Sequence, residues 1–199
     1  MKLWSIQCLA DWNRLECAGR LRCDGFDSRN YNSSAYSWIR NQLEERVGAS
    51  PQPGCWPIWA WYQWEGRSRR CPELRARNVG EAAVRIELEI DDSRVLLSDL
   101  ALWHVALNKG AVLDSDEAIE QLDRNLEAAG FGLRDDTQFA AILDHPEFGP
   151  VFKESWRKMF DLNWADKAWT RPLHRKSIQA IFWEIKRADV LSVAHFVGA

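Results

Sequence analysis

The C-terminal segment IQAIFWEIKRADVLSVAHF, residues 178–196, constrains the fold of this chain more than any other stretch. Two apolar runs, SIQAIFWEI (177–185) and VLSVAHF (190–196), have the length of strands and are separated by a short charged turn. An isolated pair of strands is marginal in water, so the segment predicts strand, turn and strand joined to a larger sheet. A polar residue, Gln179, stands at the entrance of the first strand.

Other alternating runs predict strands at the N-terminus and in the middle of the chain: LWSIQ (3–7), RLRC (20–23), CWPIWAWYQW (55–64), AAVRIELEI (82–90) and, returning after the turn DDS, RVLLS (94–98). Helices are predicted from an Asp11 cap to Gly19, from Ser33 or Ser34 to about Val47, over LALWHVALN behind a Ser98 or Asp99 cap, over 115–129 and over about 147–162. This order predicts a single α+β domain over 1–199, with a mixed or antiparallel sheet and flanking helices.

Composition and charge narrow the class of protein. The formal net charge of −3 provides no long-range attraction to nucleic acid or to an anionic membrane. There is no run of about 18 apolar residues, and Gln7 and Asp11 interrupt any signal-peptide core. The five cysteines include no CxxC pair, and the four histidines are scattered. We therefore expect reduced thiols, no metal site, no membrane partner and a cytoplasmic location.

The chain contains an unusually large number of tryptophans, twelve in all. Those in PIWAW (57–61) have two interpretations. On a strand, Trp59 and Trp61 share one face, where alternating aromatics usually pack within the sheet. The same flat faces could instead form the wall of a pocket for a ring-shaped ligand, a role that suits Trp61 slightly better than Trp59. Pro57 predicts that this strand begins at a sheet edge, where a cleft could open.

Arginines are concentrated in the segment that follows: Arg67, Arg69, Arg70, Arg75 and Arg77. They form either a solvated loop or, beside a real pocket, a set of guanidinium groups for a pyrophosphate or a phosphate-bearing acceptor. The chain has no glycine-rich loop of the P-loop or dinucleotide-fold type, so neither of those routes to a nucleotide site is available.

Three of these segments resemble motifs of the ADP-ribosyltransferase family. In that family a catalytic glutamate begins a strand that is followed by a turn and a last strand, and Gln179 falls at its place in IQAIFWEI. LWSIQ resembles the first motif, in which a polar residue, here Ser5, meets the nicotinamide ribose, and PIWAW resembles the second, whose aromatics pack around the nicotinamide ring. The resemblance makes Gln179 and Ser5 the catalytic residues and makes Trp4, Ser5, Gln7, Trp59, Trp61, Arg70 and Arg75 the cofactor-binding residues.

The resemblance implies an ADP-ribosyltransferase-like fold that binds NAD as its substrate and transfers ADP-ribose to a protein or nucleic-acid acceptor. It also implies a bacterial toxin or antiviral defence effector, with an antitoxin partner. The glutamine is a departure, because it keeps an acceptor oxygen and lacks the charge that stabilises the departing nicotinamide. A non-catalytic nucleotide- or peptide-binding module and an interaction protein without a pocket therefore stay open, as does a purely structural Gln179.

Over its whole length the chain also resembles an uncharacterised bacterial family of domains of unknown function. Members of that family carry comparable W-S/T-I-Q, PIWAW, LLSD…WH..LN and QA..W segments, all of which occur here. This likeness implies membership of the family and names no activity.

Overall fold

The computed structural model describes residues 1–25, 33–69, 80–132 and 136–198. Within them lie the strands Lys2–Cys8 (β1), Arg20–Arg22 (β2), Ile58–Gln63 (β3), Ala82–Glu89 (β4), Leu96–Asp99 (β5), Ile178–Phe182 (β6), Glu184–Lys186 (β7) and Val190–Val197 (β8). The α-helices are Leu9–Ala18 (α1), Ser33–Arg46 (α2), Leu100–Leu107 (α3), Asp116–Ala128 (α4), Asp136–Asp144 (α5) and Phe148–Trp156 (α6). The predicted α+β class is confirmed.

Six strands form one antiparallel sheet in the order β5-β6-β3-β1-β4-β8, and β2 and β7 form a second, two-stranded sheet. The N-terminal strand β1 lies inside the large sheet, paired along its whole length with β4. As predicted, the N-terminal and C-terminal strands belong to the same sheet. β3 is also an interior strand, between β6 and β1, so the edge position predicted from Pro57 is wrong. Pro57 precedes the first ladder residue, Ile58, and its missing N–H costs the ladder nothing.

The C-terminal strands both form, but they do not pair with each other. β6 ends at Phe182, and at the break the indole Nε1 of Trp183 donates to the carbonyl oxygen of Gly48 at 2.9 Å. The chain then pairs with β2 as β7 and only afterwards reaches β8, at the far edge of the large sheet beside β4. The run SIQAIFWEI is therefore two strands in two sheets.

The predicted return of RVLLS against AAVRIELEI is also wrong. After a 3₁₀ turn at Asp92–Arg94, β5 crosses to the opposite edge of the sheet and pairs with β6. The turn residues suit a hairpin, but β4 pairs with β8 and β5 pairs with β6.

A hydrophobic core lies on each face of the large sheet. Helices α2, α3, α5 and α6 cover one face, where Trp38, Trp103 and Trp156 are buried. Helix α1 and the small sheet cover the other face, with Trp12 and Leu15 buried against it. The sheet is thus enclosed by unequal layers, and the larger core is on the side of the later helices.

Two of the predicted helices have different ends in the structure. α1 begins at Leu9 behind Cys8, whose Sγ accepts from the Asp11 N–H at 3.4 Å, so Asp11 is a first-turn residue and not the cap. Gly19 ends this helix at φ 71°, the left-handed conformation that favours glycine. The predicted long helix near 147–162 is shorter, because α6 ends at Trp156 and a 3₁₀ turn follows; α5 was not predicted.

Four cysteines, Cys8, Cys17, Cys23 and Cys55, are free thiols, and Cys71 lies outside the described residues. In the part of the chain that the structure describes, no helix has both the length and the apolar character needed to cross a bilayer.

Candidate functional site

Three adjacent strands bring Gln179, Trp61 and Trp4 side by side. Trp61 is the register partner of Gln179 across β3 and β6, and Trp4 is the register partner of Trp61 across β1 and β3. Directly opposed residues of antiparallel strands point to the same face, so the three side chains form a row. Ser98 on β5 extends this row beyond Gln179, and Glu87 on β4 extends it beyond Trp4. We call these five residues the Gln179 row.

The β5–β6 end of the Gln179 row holds two polar atoms without partners. The Oε1 atom of Gln179 and the Oγ atom of Ser98 are buried, and neither makes a hydrogen bond within the described residues. A buried polar atom left unpaired costs about 1–3 kcal/mol, so such atoms call for an explanation. Both can accept a hydrogen bond, and the Ser98 hydroxyl can also donate one.

The middle of the Gln179 row is aromatic. Trp61 and Trp4 are half-buried, so part of each indole remains accessible. Trp64 meets Trp61 edge to face, with ring centroids 5.2 Å apart and an interplanar angle of 89°. Trp61 is thereby held by a neighbour at its side, and a flat indole beside unpaired polar atoms is suited to a planar ligand that also carries hydroxyl groups.

The β4 end of the Gln179 row is charged. Glu87 forms an ion pair with Lys2 and accepts a hydrogen bond from the Ser192 hydroxyl at 3.1 Å. These hydrogen bonds, from Lys2 first and then from Ser192, lower the pKa of Glu87 below its ordinary value. The row therefore runs from neutral polar atoms through two indoles to an ionised carboxylate.

Ser5 and Gln7 face the other side of the sheet. They alternate with Trp4 along β1, and Ser5 is buried on the face of Leu3, which belongs to the α1-side core. The Ser5 hydroxyl donates to the Trp59 carbonyl oxygen at 2.9 Å and accepts from Gln7 Nε2 at 2.8 Å. The predicted joint contact of Ser5 and Gln179 with one ribose therefore needs correction, because the two side chains do not face a common site. Ser5 instead joins β1 to β3 just past their single registered pair.

Trp59 shares the face of Trp61 and packs against the core on the helix side of the sheet. Its ring stacks on Trp103 with centroids 5.1 Å apart and meets Tyr36 edge to face at 6.1 Å. These ring contacts agree with the packing interpretation of Trp59, although Trp59 and Trp61 are both half-buried. Arg70 and Arg75 lie outside the described residues.

A family model described as "Domain of unknown function (DUF3841)" matches residues 2–191. The chain belongs to this family. The resemblance to a family of domains of unknown function is thus confirmed. No curated protein and no solved structure matches the chain.

The DUF3841 chain also has a cavity of about 440 Å³ at the end of β1 and β3, where Gln7 and Trp59 are among the lining residues. Its arginines are already paired: Arg22 with Glu184 at 2.9 Å and Arg14 with Asp11 at 2.9 Å. Burial raises the pKa of the Cys23 thiol above its ordinary value, which keeps that thiol protonated. This cavity offers fewer unsatisfied groups to a ligand than the Gln179 row does.

Among the described residues of the DUF3841 chain, no three His, Cys, Asp or Glu side chains come together as a metal-binding group. Sequence reasoning missed two members of the Gln179 row. Glu87 was interpreted only as part of an alternating strand, and Ser98 was interpreted as a capping residue before a helix. Asp99 is the cap, and its carboxylate accepts from the Ala101 N–H at 2.9 Å. The alternation of LLSD contained the available signal, since it places Ser98 on the face opposite Asp99.

Proposed function

We propose that the DUF3841 chain binds NAD at the Gln179 row and transfers ADP-ribose to a macromolecular acceptor, a protein or a nucleic acid. The observation that carries the proposal is the buried, unpaired Oε1 of Gln179 in register with the accessible indole of Trp61. A cytoplasmic toxin or defence role with an antitoxin partner belongs to the same proposal and rests on the family resemblance alone.

The placement of the resembling segments supports this function. LWSIQ, PIWAW and IQAIFWEI are distant in sequence, yet they fold as β1, β3 and β6, which are three neighbouring strands. The positions of these segments in the sequence do not predict that the strands are adjacent. Because they are adjacent, residues of all three segments lie on one face of the large sheet. The resemblance predicts that residues from these segments share a ligand, and the register of Trp4, Trp61 and Gln179 on one face of the sheet supports that prediction.

In the proposed complex the Gln179 carbonyl oxygen accepts a hydrogen bond from a ribose hydroxyl, and the nicotinamide ring lies against the Trp61 indole. The Ser98 hydroxyl, directly opposite Gln179, binds a second ribose oxygen in this proposal. Ser5 and Gln7 take a supporting role through the hydrogen bonds that join β1 to β3. In this proposal the ligand lies on the Trp4 and Trp61 face of the sheet, and not on the Ser5 face.

The glutamine limits the speed of the proposed transfer. As the bond to nicotinamide breaks, positive charge develops on the ribose, and a neutral amide stabilises it less than a carboxylate does. Single electrostatic groups of this kind contribute about 3–4 kcal/mol to a transition state. We expect slow turnover by the natural chain and faster turnover when a carboxylate stands at position 179.

Nicotinamide release, with and without acceptor, tests the transferase. The natural chain, Gln179→Glu and Gln179→Ala are compared using NAD labelled in the adenylate part and in the nicotinamide. We expect Gln179→Glu to exceed the natural chain by about tenfold or more, and Gln179→Ala to lose activity. The exposed Gln121 of α4 provides the matched control, since Gln121→Ala should leave the rate unchanged.

A second candidate, a non-catalytic nucleotide-binding module, is favoured by the same glutamine. The amide retains the hydrogen-bond acceptor needed for binding and lacks the charge needed for fast transfer. Saturable NAD binding, combined with no nicotinamide release from the natural chain or from Gln179→Glu, would favour this module over the transferase.

A further inference from the structure

A separate cavity of about 360 Å³ lies where β5 leads into α3 and where the chain approaches β6. The start of α3 forms one wall, with Leu100, Ala101 and His104. Residues 167–171 and 175–177 form the other walls. A cavity of this size is in the range used by small-molecule ligands.

The walls of this cavity carry a surplus of positive charge. Lys167, Arg171 and Arg175 are exposed and form no ion pair within the described residues. The one carboxylate among the described lining residues, Asp99, is already neutralised by Lys176, with Nζ and Oδ2 2.7 Å apart. Three positive charges thus converge on one opening in a chain whose formal net charge is −3.

The backbone that carries these cations is fixed from behind. Lys176 Nζ donates to the Trp164 carbonyl oxygen at 2.7 Å, and the Thr170 hydroxyl donates to Asp99. The Trp169 indole Nε1 donates to the Leu113 carbonyl oxygen at 2.7 Å, which holds the ring in the cavity wall. The long side chains can adjust, but their Cα positions are set before any ligand arrives, and this lowers the cost of binding.

We propose that this cavity binds a small oligophosphate, that is, a ligand with two or more linked phosphate groups. Guanidinium groups bond phosphate oxygens in pairs, and two arginines with one lysine match the charge of about −3 of a pyrophosphate near neutral pH. A single carboxylate or phosphate would leave part of this charge unpaired. The site shares no residue with the Gln179 row and does not depend on NAD binding there.

Calorimetric titration with inorganic pyrophosphate tests the site. We expect saturable binding by the natural chain and an affinity about tenfold weaker in Arg171→Ala and in Arg175→Ala, with no detectable binding in the double variant. Both side chains are exposed, so these variants should keep the fold, which circular dichroism checks. Arg124→Ala, which removes an exposed cation on α4, and Gln179→Ala should bind pyrophosphate as the natural chain does.

Three results would overturn the proposal. One is the absence of saturation at millimolar pyrophosphate. Another is unchanged binding in the Arg171→Ala/Arg175→Ala double variant, because the anion would then be bound elsewhere. The third is equally tight binding of citrate, a carboxylate ligand of similar charge, because the cavity would then not select phosphate. Unchanged pyrophosphate binding in a chain that fails to bind NAD would leave this proposal standing and refute only the proposed NAD site.

Discussion

Replacement of Lys176 by methionine should strongly destabilise the fold. The Lys176 side chain is 0% exposed and that of Asp99 is 1% exposed, and the two charges are paired at 2.7 Å. Methionine keeps much of the apolar stem but leaves the Asp99 carboxylate buried with only its contacts to Thr170 and the Ala101 N–H. Removing one partner of a buried ion pair costs about 3–5 kcal/mol.

That loss is a large part of the stability of one domain. Folded domains are stable by about 5–15 kcal/mol, and 1 kcal/mol lowers the melting temperature by roughly 2–4 °C at this chain length. We therefore expect the melting temperature of Lys176→Met to fall by roughly 6–20 °C, measured by circular dichroism and by urea unfolding followed through tryptophan fluorescence.

A double-mutant cycle isolates the contribution of the pair. Asp99→Asn in the Lys176→Met background should recover part of the loss, because the uncompensated charge is then gone. Arg124→Met is the matched control, since its pair with Glu120 is exposed and worth at most about 1 kcal/mol. A Lys176→Met chain no less stable than Arg124→Met would refute the reasoning.

Three further outcomes are expected. Ser5→Ala removes the hydroxyl that joins β1 to β3 and should cost about 1–3 kcal/mol in urea unfolding; no loss would show that this bond contributes nothing net. Gly66→Ala should lower the melting temperature, because Gly66 has φ 77° and an added Cβ would lie far inside contact distance of the His174 carbonyl oxygen. Lys2→Met should raise the pKa of Glu87 toward its ordinary value in a carboxyl NMR titration. Since that pKa is lowered in the folded chain, its stabilising contribution is present at neutral pH and lost as the pH falls through the folded pKa. In Lys2→Met this contribution should be smaller, because the folded and unfolded pKa values then lie closer together.

Local sequence patterns predicted where the strands and helices lie better than they predicted which strands pair with each other. The alternation in LWSIQ and AAVRIELEI is a short-range property, and both segments are strands of the large sheet. Which strands pair depends on long-range packing, which local patterns do not record. For this reason RVLLS was expected beside AAVRIELEI and lies instead at the opposite edge of the sheet.

The C-terminal segment illustrates a second limit. Its apolar character gave no sign that one strand would end before Trp183 and another begin after it. The Trp183 indole bonds the Gly48 carbonyl oxygen, which is distant in sequence, and a local pattern does not record such a contact. The capping of α1 by Cys8 was missed for a related reason, since Asp11 is the stronger capping type by sequence and is displaced here by where β1 ends.

The candidate site was predictable in part. Gln179, Trp61 and Trp4 could be selected from their segments, but their common row depends on β6, β3 and β1 being neighbours. Ser5 was assigned to the same site from the resemblance of LWSIQ to the first transferase motif. Ser5 and Trp4 are adjacent residues of one strand, however, and such residues face opposite sides. An explicit division of LWSIQ into its two faces would have separated them.

Calorimetric titration of NAD into the natural chain, Gln179→Ala and Gln121→Ala tests the central claim most directly, because it needs no acceptor. We predict micromolar binding by the natural chain and by Gln121→Ala, and binding weakened about tenfold or more, roughly 1.4 kcal/mol, by Gln179→Ala. No saturation at millimolar NAD, or equal affinity of Gln179→Ala and the natural chain, would contradict an NAD site at the Gln179 row.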